Sequence, residues 1–252
     1  LRSSEKIIDQ FIQKLIKELP KQTKCERNDH RLGLSYLQHH CNIQFFKQKP
    51  EANSQVNYFF PIDLLVTKQT KLIAMIQSKL HYTRTVYARN CTIRRIETSL
   101  ASEFLNAYHL MNYAKSAFHY GLFDSGELVA VATFSKGRKM NRLNEDQRSF
   151  ELVRFCCKDG ISVSGGLSKL LTFFIEEKHP GDIMTYIDKQ FSIGRSYITC
   201  GFKKHGETPA QKFIVNKNTF ERNYFKDEAF DSKLFYLTEN CGNIKLVQTI
   251  AN

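Results

Sequence analysis

Apolar residues recur every three to four positions at the start of the chain: Ile7, Ile8, Phe11, Ile12, Leu15, Ile16 and Leu19, with Lys and Gln between them. This spacing predicts an amphipathic helix packed on its own domain, and Pro20 directly afterwards stops it by withholding a backbone N–H. Short apolar runs at 42–46 and 58–66 predict two strands, joined by the polar, proline-containing segment 48–55. Helical spacing returns at Leu72, Ile73, Ile76 and Leu80. Residues 1–84 therefore predict a small helix, strand, strand, helix domain, closed by the basic segment 81–84.

The texture changes beyond that point, and residues 85–252 are expected to form one larger domain. A strand is expected at 86–96 and a helix at 101–113. Strands at 117–123 and 128–134 flank Asp124, Ser125, Gly126 and Glu127, a hairpin turn in which glycine supplies the positive φ. The run 135–148 is too charged for a core and predicts a loop. After it come a strand (150–157), a loop with three glycines (158–166), a helix (167–177) whose apolar face is Leu170, Leu171, Phe174 and Ile175, a strand (183–187) and a short helix (196–200). Strands mixed with helices in this order predict an α/β (α+β) protein with a mixed central sheet flanked by helices.

Composition narrows the classes. Thirty-seven Lys and Arg against 25 Asp and Glu give a net charge of +12, which gathers anions around the surface and makes nucleic acid the first candidate partner. A Lys-rich enzyme with no such partner carries the same charge. The chain has no run of roughly 18 apolar residues, so a spanning helix is not expected and a cytoplasmic location is. Its seven cysteines are odd in number and never spaced Cys-x-x-Cys, which reads as reduced, core-type thiols and predicts no metal site.

The chemistry-bearing pattern is the glycine loop that opens a helix after a strand: Ser164, Gly165, Gly166, Leu167 and Ser168. Backbone N–H groups and the positive end of a helix meet a phosphate or pyrophosphate there. Two glycines before a helix also serve as a plain tight turn. Asp188 ends a strand where α/β sheets hold ligands, although a loop-bracing Asp fits equally. Tyr197 on the short helix is a candidate general acid or a packed ring, and His109 a candidate base or a structural histidine. Arg154 can hold Glu151 or Asp188, or meet a phosphate. Arg89, Arg94, Arg95, Lys136, Arg138 and Arg142 are the candidate nucleic-acid surface.

Glu151 to Arg154, the Ser164–Ser168 loop, Tyr186, Ile187 and Asp188, and then Gly194 to Tyr197 before Gly201 and Phe202, together resemble the cofactor half of GNAT acyltransferases. With Tyr108 and His109 upstream, the pattern is similar to the Mom-like branch, phage enzymes that modify adenine in DNA. The resemblance implies acetyl-CoA or another acyl-CoA as cofactor, with Cys156 and the glycine loop at its site. It also implies roles for Asp188 and His109 in moving the proton, and for Tyr197 in protonating the departing group. Its departure is the loop itself, Ser162-Val-Ser-Gly-Gly-Leu, where such enzymes carry Arg/Gln-x-x-Gly-x-Gly/Ala. Val86 to Cys91 and Asn240 to Asn243 further resemble mobile-element proteins in which a homing-endonuclease-like region precedes this domain. Residues 1–84 lack an Asp followed by Glu-x-Lys, so nuclease ancestry there is degenerate. A non-catalytic nucleic-acid-binding protein is the alternative.

Overall fold

The structure is a computed structural model that describes residues 3–49, 57–226 and 228–250. The expected linker 48–55 therefore lies largely outside the described residues. The chain forms two compact units. One comprises Leu1–Tyr82, Asp188–Ile193 and Thr208–Asn243, and the other Thr83–Ile187, Gly194–Glu207 and Ile244–Asn252. A cut near residue 84 into two consecutive stretches does not describe this, because two later segments join the first unit.

In the first unit, helix α1 (Ser4–Glu18) buries Ile7, Ile8, Phe11, Ile12 and Leu15, and the Ser3 side chain caps it. Strands β1 (Lys24–Asn28), β2 (Arg31–Tyr36), β3 (His39–Phe46) and β4 (Tyr58–Pro61) form one sheet in that order. The β1–β2 hairpin was not foreseen, since β1 is exposed throughout and shows no alternation. The strand expected at 58–66 ends at Pro61, and α2 (Ile62–Thr67) takes over. Pro61 cannot continue a ladder but sits well just before a helix. Helix α3 (Gln69–Lys79) follows, and the rings of Phe11, Phe45 and Phe60 meet edge-on at the centre of this core.

The second unit opens with β5 (Arg84–Tyr87), a single turn at Ala88–Asn90 and β6 (Thr92–Arg95), so the long strand expected at 86–96 is broken. Lys169 holds that turn by donating to the carbonyls of Ala88 (2.8 Å) and Cys91 (2.5 Å). Next come α4 (Thr98–Tyr108), β7 (Phe118–Asp124), β8 (Glu127–Phe134), β9 (Ser149–Cys157), β10 (Ile161–Ser164), α5 (Gly166–Lys178), β11 (Asp182–Asp188), α6 (Arg195–Thr199) and β12 (Lys203–Glu207). The β7–β8 turn puts both Ser125 (φ 48°) and Gly126 (φ 88°) in the left-handed region, as a two-residue hairpin requires. Strand β10 lies inside what the sequence predicts as loop, paired in parallel with β5.

Beyond β12, β13 (Lys212–Asn216), β14 (Arg222–Tyr224) and β15 (Phe235–Glu239) form a three-stranded sheet of the first unit, before β16 (Asn243–Thr249) returns to the second. The central sheet runs β12-β16-β11-β9-β8-β7-β6. Its β6 to β9 pairs are antiparallel, while β9 and β11 are parallel. This is an α+β architecture built on a seven-stranded mixed sheet. Its core is aromatic: Phe174 of α5 stacks on Phe134 at 3.8 Å and meets Tyr120 and Phe150 edge-on.

Candidate active site

The parallel pair at the middle of this sheet is incomplete. Residues 149–151 of β9 pair with 182–184 of β11, and the ladder stops there. At the fork the buried Thr185 hydroxyl donates to the Leu152 carbonyl at 2.9 Å. From residue 153 onward β9 keeps its β8 partner, and among the described residues no strand pairs with its other side. A bare parallel edge inside a sheet leaves backbone donors and acceptors able to pair with an extended ligand.

Tyr197 stands at this edge. Gly194, at φ 75°, turns the chain into α6, and the Tyr197 ring packs on the core, edge-on to Phe202 at 5.8 Å. Burial pushes its phenol up to about 12, the nearby thiols of Cys156, Cys200 and Cys157 push the same way, and Arg154 opposes them. Its hydroxyl makes no hydrogen bond among the described residues. The structure thus brings Tyr197, Cys156 and Arg154 together, three of the residues singled out from the sequence. Arg154 donates to the carbonyls of Asn112 (3.2 Å) and Val153 (2.9 Å), tying β9 to the loop after α4. Glu151 faces Arg138, at 3.7 Å.

The glycine loop sits at the start of α5. Gly165 adopts φ 75°, and a Cβ on Gly166 would come within 2.9 Å of Val163 Cγ1, so both positions need glycine. No side chain caps the helix, which leaves first-turn N–H groups at Gly166, Leu167 and Ser168 open, beside the exposed Ser164. Arg89 lies over the Tyr87 ring at 4.9 Å, on the strand and turn next to this loop.

Asp188 and His109 have local duties. Asp188 belongs to the first unit, where its carboxylate accepts from the Gln190 N–H (2.9 Å) and its carbonyl from Phe191 and Ser192. Burial raises its pKa to about 6 against the pull of the Gln190 N–H and of Arg222. His109 ends α4, and its Nδ1 accepts from the Met111 N–H at 3.1 Å, bracing the turn.

The candidate nucleic-acid side chains do not share one environment. Arg142 does not join an outer basic surface: its guanidinium points inward to the buried Asp182 (2.6 and 3.1 Å) and to Ser149. Arg95 is held by Glu177, whose carboxyl this contact pulls down to about 2. Arg94 covers the Phe123 ring at 5.0 Å. Lys136 and Arg138 stay exposed. Sequence reasoning missed Lys169, although a lysine in a first helical turn, against the helix dipole, is a signal that its charge is engaged elsewhere.

No family model and no curated protein matches the chain. Among solved structures it is similar to a Bacillus subtilis acetyltransferase in complex with CoA, at 16% identity over 64% of this chain and 99% of that one, with a TM-score of 0.41. A GNAT family acetyltransferase from Elizabethkingia anophelis with acetyl-CoA bound aligns at 13% identity over 64% and 99%, with a TM-score of 0.36. The ribosomal-protein-S18-alanine N-acetyltransferase from Escherichia coli aligns at 13% over 64% and 95%, with a TM-score of 0.40. No helix among the described residues is long and apolar enough to cross a membrane.

Proposed function

We propose that the chain is an acyltransferase that moves an acyl group from acyl-CoA, acetyl-CoA in the simplest case, to a nucleobase amine, with adenine in DNA as the favoured acceptor. The supporting observation is the bare β9 edge with Tyr197 beside it. Acyl-CoA supplies a thioester carbonyl activated for attack by an amine. Backbone groups of residues 153–157 pair with its extended arm and offer N–H donors where negative charge gathers on the carbonyl oxygen. The open first turn of α5 receives the pyrophosphate. Tyr197 keeps its proton at neutral pH and presents it to the sulfur, while the proton that the acylated amine gives up passes to water and the phenolate is re-protonated from solvent. The burial that raises the phenol raises a thiolate formed beside it as well, so the transfer is not strongly uphill.

The acceptor follows from charge. A net +12 with Arg89, Lys136 and Arg138 exposed draws a phosphate backbone. An exocyclic amine is shielded inside duplex DNA, so single-stranded or extruded bases are the form modified. This is the activity that the Mom-like resemblance implies.

The test is a pair of measurements. Acetyl-CoA at about 1 mM should raise the melting temperature, and Ser168→Asp, which adds a negative charge at an exposed site without filling the Gly166 contact, should abolish the rise. Labelled acetyl-CoA should then leave label in single-stranded DNA. A flat melting curve together with unlabelled DNA would leave only a nucleic-acid-binding protein.

A further inference from the structure

A cavity of about 450 Å³ opens in the first unit, between the β1–β2 turn and the end of β3. Asp29, His30, Arg31, Gln44, Lys47 and Lys49 are among its lining residues. Its walls are fixed. Asp29 takes φ 47° in the turn, and the His30 carbonyl accepts from the Phe45 N–H at 2.7 Å, fastening the turn to β3. Arg31 and Gln44 are direct cross-strand partners, so their side chains leave the sheet on the same face.

Two features of this wall lack a structural use. Gln44 is 6% exposed, and its side-chain oxygen is buried with no hydrogen-bond partner among the described residues. Leaving such an atom unpaired carries a desolvation penalty that a bound donor removes. Arg31 is exposed and forms no ion pair among the described residues. Lys47 lies 5.1 Å over the Tyr236 ring, and Lys49 reaches only a distant Glu239 carboxylate at 3.9 Å. Against these three cations the lining carries one carboxylate, Asp29. A concave wall of this sign concentrates anions, and Arg31 brings the planar fork suited to phosphate.

We infer that this cavity binds a nucleoside phosphate, either free or as one unit of a single strand: Arg31, Lys47 and Lys49 take the phosphate, and Gln44 takes a hydrogen-bond donor of the sugar or base. Bare phosphate satisfies the cations, but its volume is far below that of a cavity in the usual small-ligand range of roughly 300–1,000 Å³. The inference stands apart from the acyl-transfer proposal, which concerns the other unit.

Fluorescence anisotropy of a labelled 12-nucleotide single strand with the full chain, at about 50 mM salt where phosphate attraction is strong, tests it. Arg31→Glu/Lys47→Glu/Lys49→Glu should weaken binding at least tenfold. It should also lower the log–log salt slope by about 0.7, the share of the one phosphate that these three cations neutralise in a single strand. If that variant fails to fold, Arg31→Gln/Lys49→Gln should give a smaller loss in the same direction. Displacement by AMP identifies a free nucleotide, and displacement by unlabelled strand alone identifies a strand unit. Gln44→Met should weaken AMP or strand binding severalfold. Unchanged binding by the charge variants, or inorganic phosphate competing as well as AMP and the strand, overturns the inference.

Discussion

Arg222 grips the carboxylate of Asp63 through two parallel hydrogen bonds, Nε to Oδ2 at 2.6 Å and a terminal nitrogen to Oδ1 at 2.8 Å, across 159 residues of sequence. Asp63 is completely buried, and the guanidinium also covers the Phe213 ring at 4.8 Å. The pair ties α2 to the β13–β15 sheet, so a segment far along the chain completes the first unit. It also gives Asp63 a structural duty.

Breaking this pair on one side strands a buried charge. Arg222→Met should destabilise the first unit by about 3–5 kcal/mol. Replacing both partners, Asp63→Leu with Arg222→Met, should recover most of that loss, because two apolar groups of similar volume leave nothing uncompensated. Chemical denaturation followed by the far-UV signal measures both, and equal losses in the single and double variants would contradict the account.

Tyr197→Phe separates catalysis from packing. The ring and its contact with Phe202 remain, and the hydroxyl makes no hydrogen bond among the described residues, so the melting temperature should hold or rise slightly. Acyl transfer should fall on the order of 10² in kcat with little change in KM. Wild-type turnover in this variant would remove the phenol from the chemistry.

Asp188 makes stability depend on pH. Its folded pKa, about 6, lies above the ordinary 3.8, so between those values the native state binds the proton more tightly than the unfolded one. Stability contributed by the protonated form is therefore lost as pH rises from about 4 to 6, up to about 3 kcal/mol. Asp188→Asn keeps the acceptor for the Gln190 N–H and carries no charge, so this fall should be missing from its profile over that window. Parallel denaturation series at pH 4, 5, 6 and 7 measure the difference, and coincident profiles would refute it.

Periodicity located α1, α3 and α5, because each buries one face with a spacing that helix geometry dictates, while the turn residues Asp124 to Glu127 marked the β7–β8 hairpin. The paired glycines before a helix were equally legible, and the structure gives their reason: Gly165 has a positive φ, and a Cβ on Gly166 would crowd Val163. Tertiary structure decided the rest. Strand β1 is exposed at every position and carries no pattern, and Pro61 divides one apolar run into strand and helix. Nothing local indicates that β9 and β11 stop pairing after Glu151 and Met184, since the opening depends on the course of two strands separated by α5. Arg142 and Arg138 look alike in a basic run, yet only the fold supplies a buried Asp182 to draw one of them inward. A sequence records which side chains prefer burial or charge; which partners meet them is settled by long-range packing, as Asp63 and Arg222 show across 159 residues.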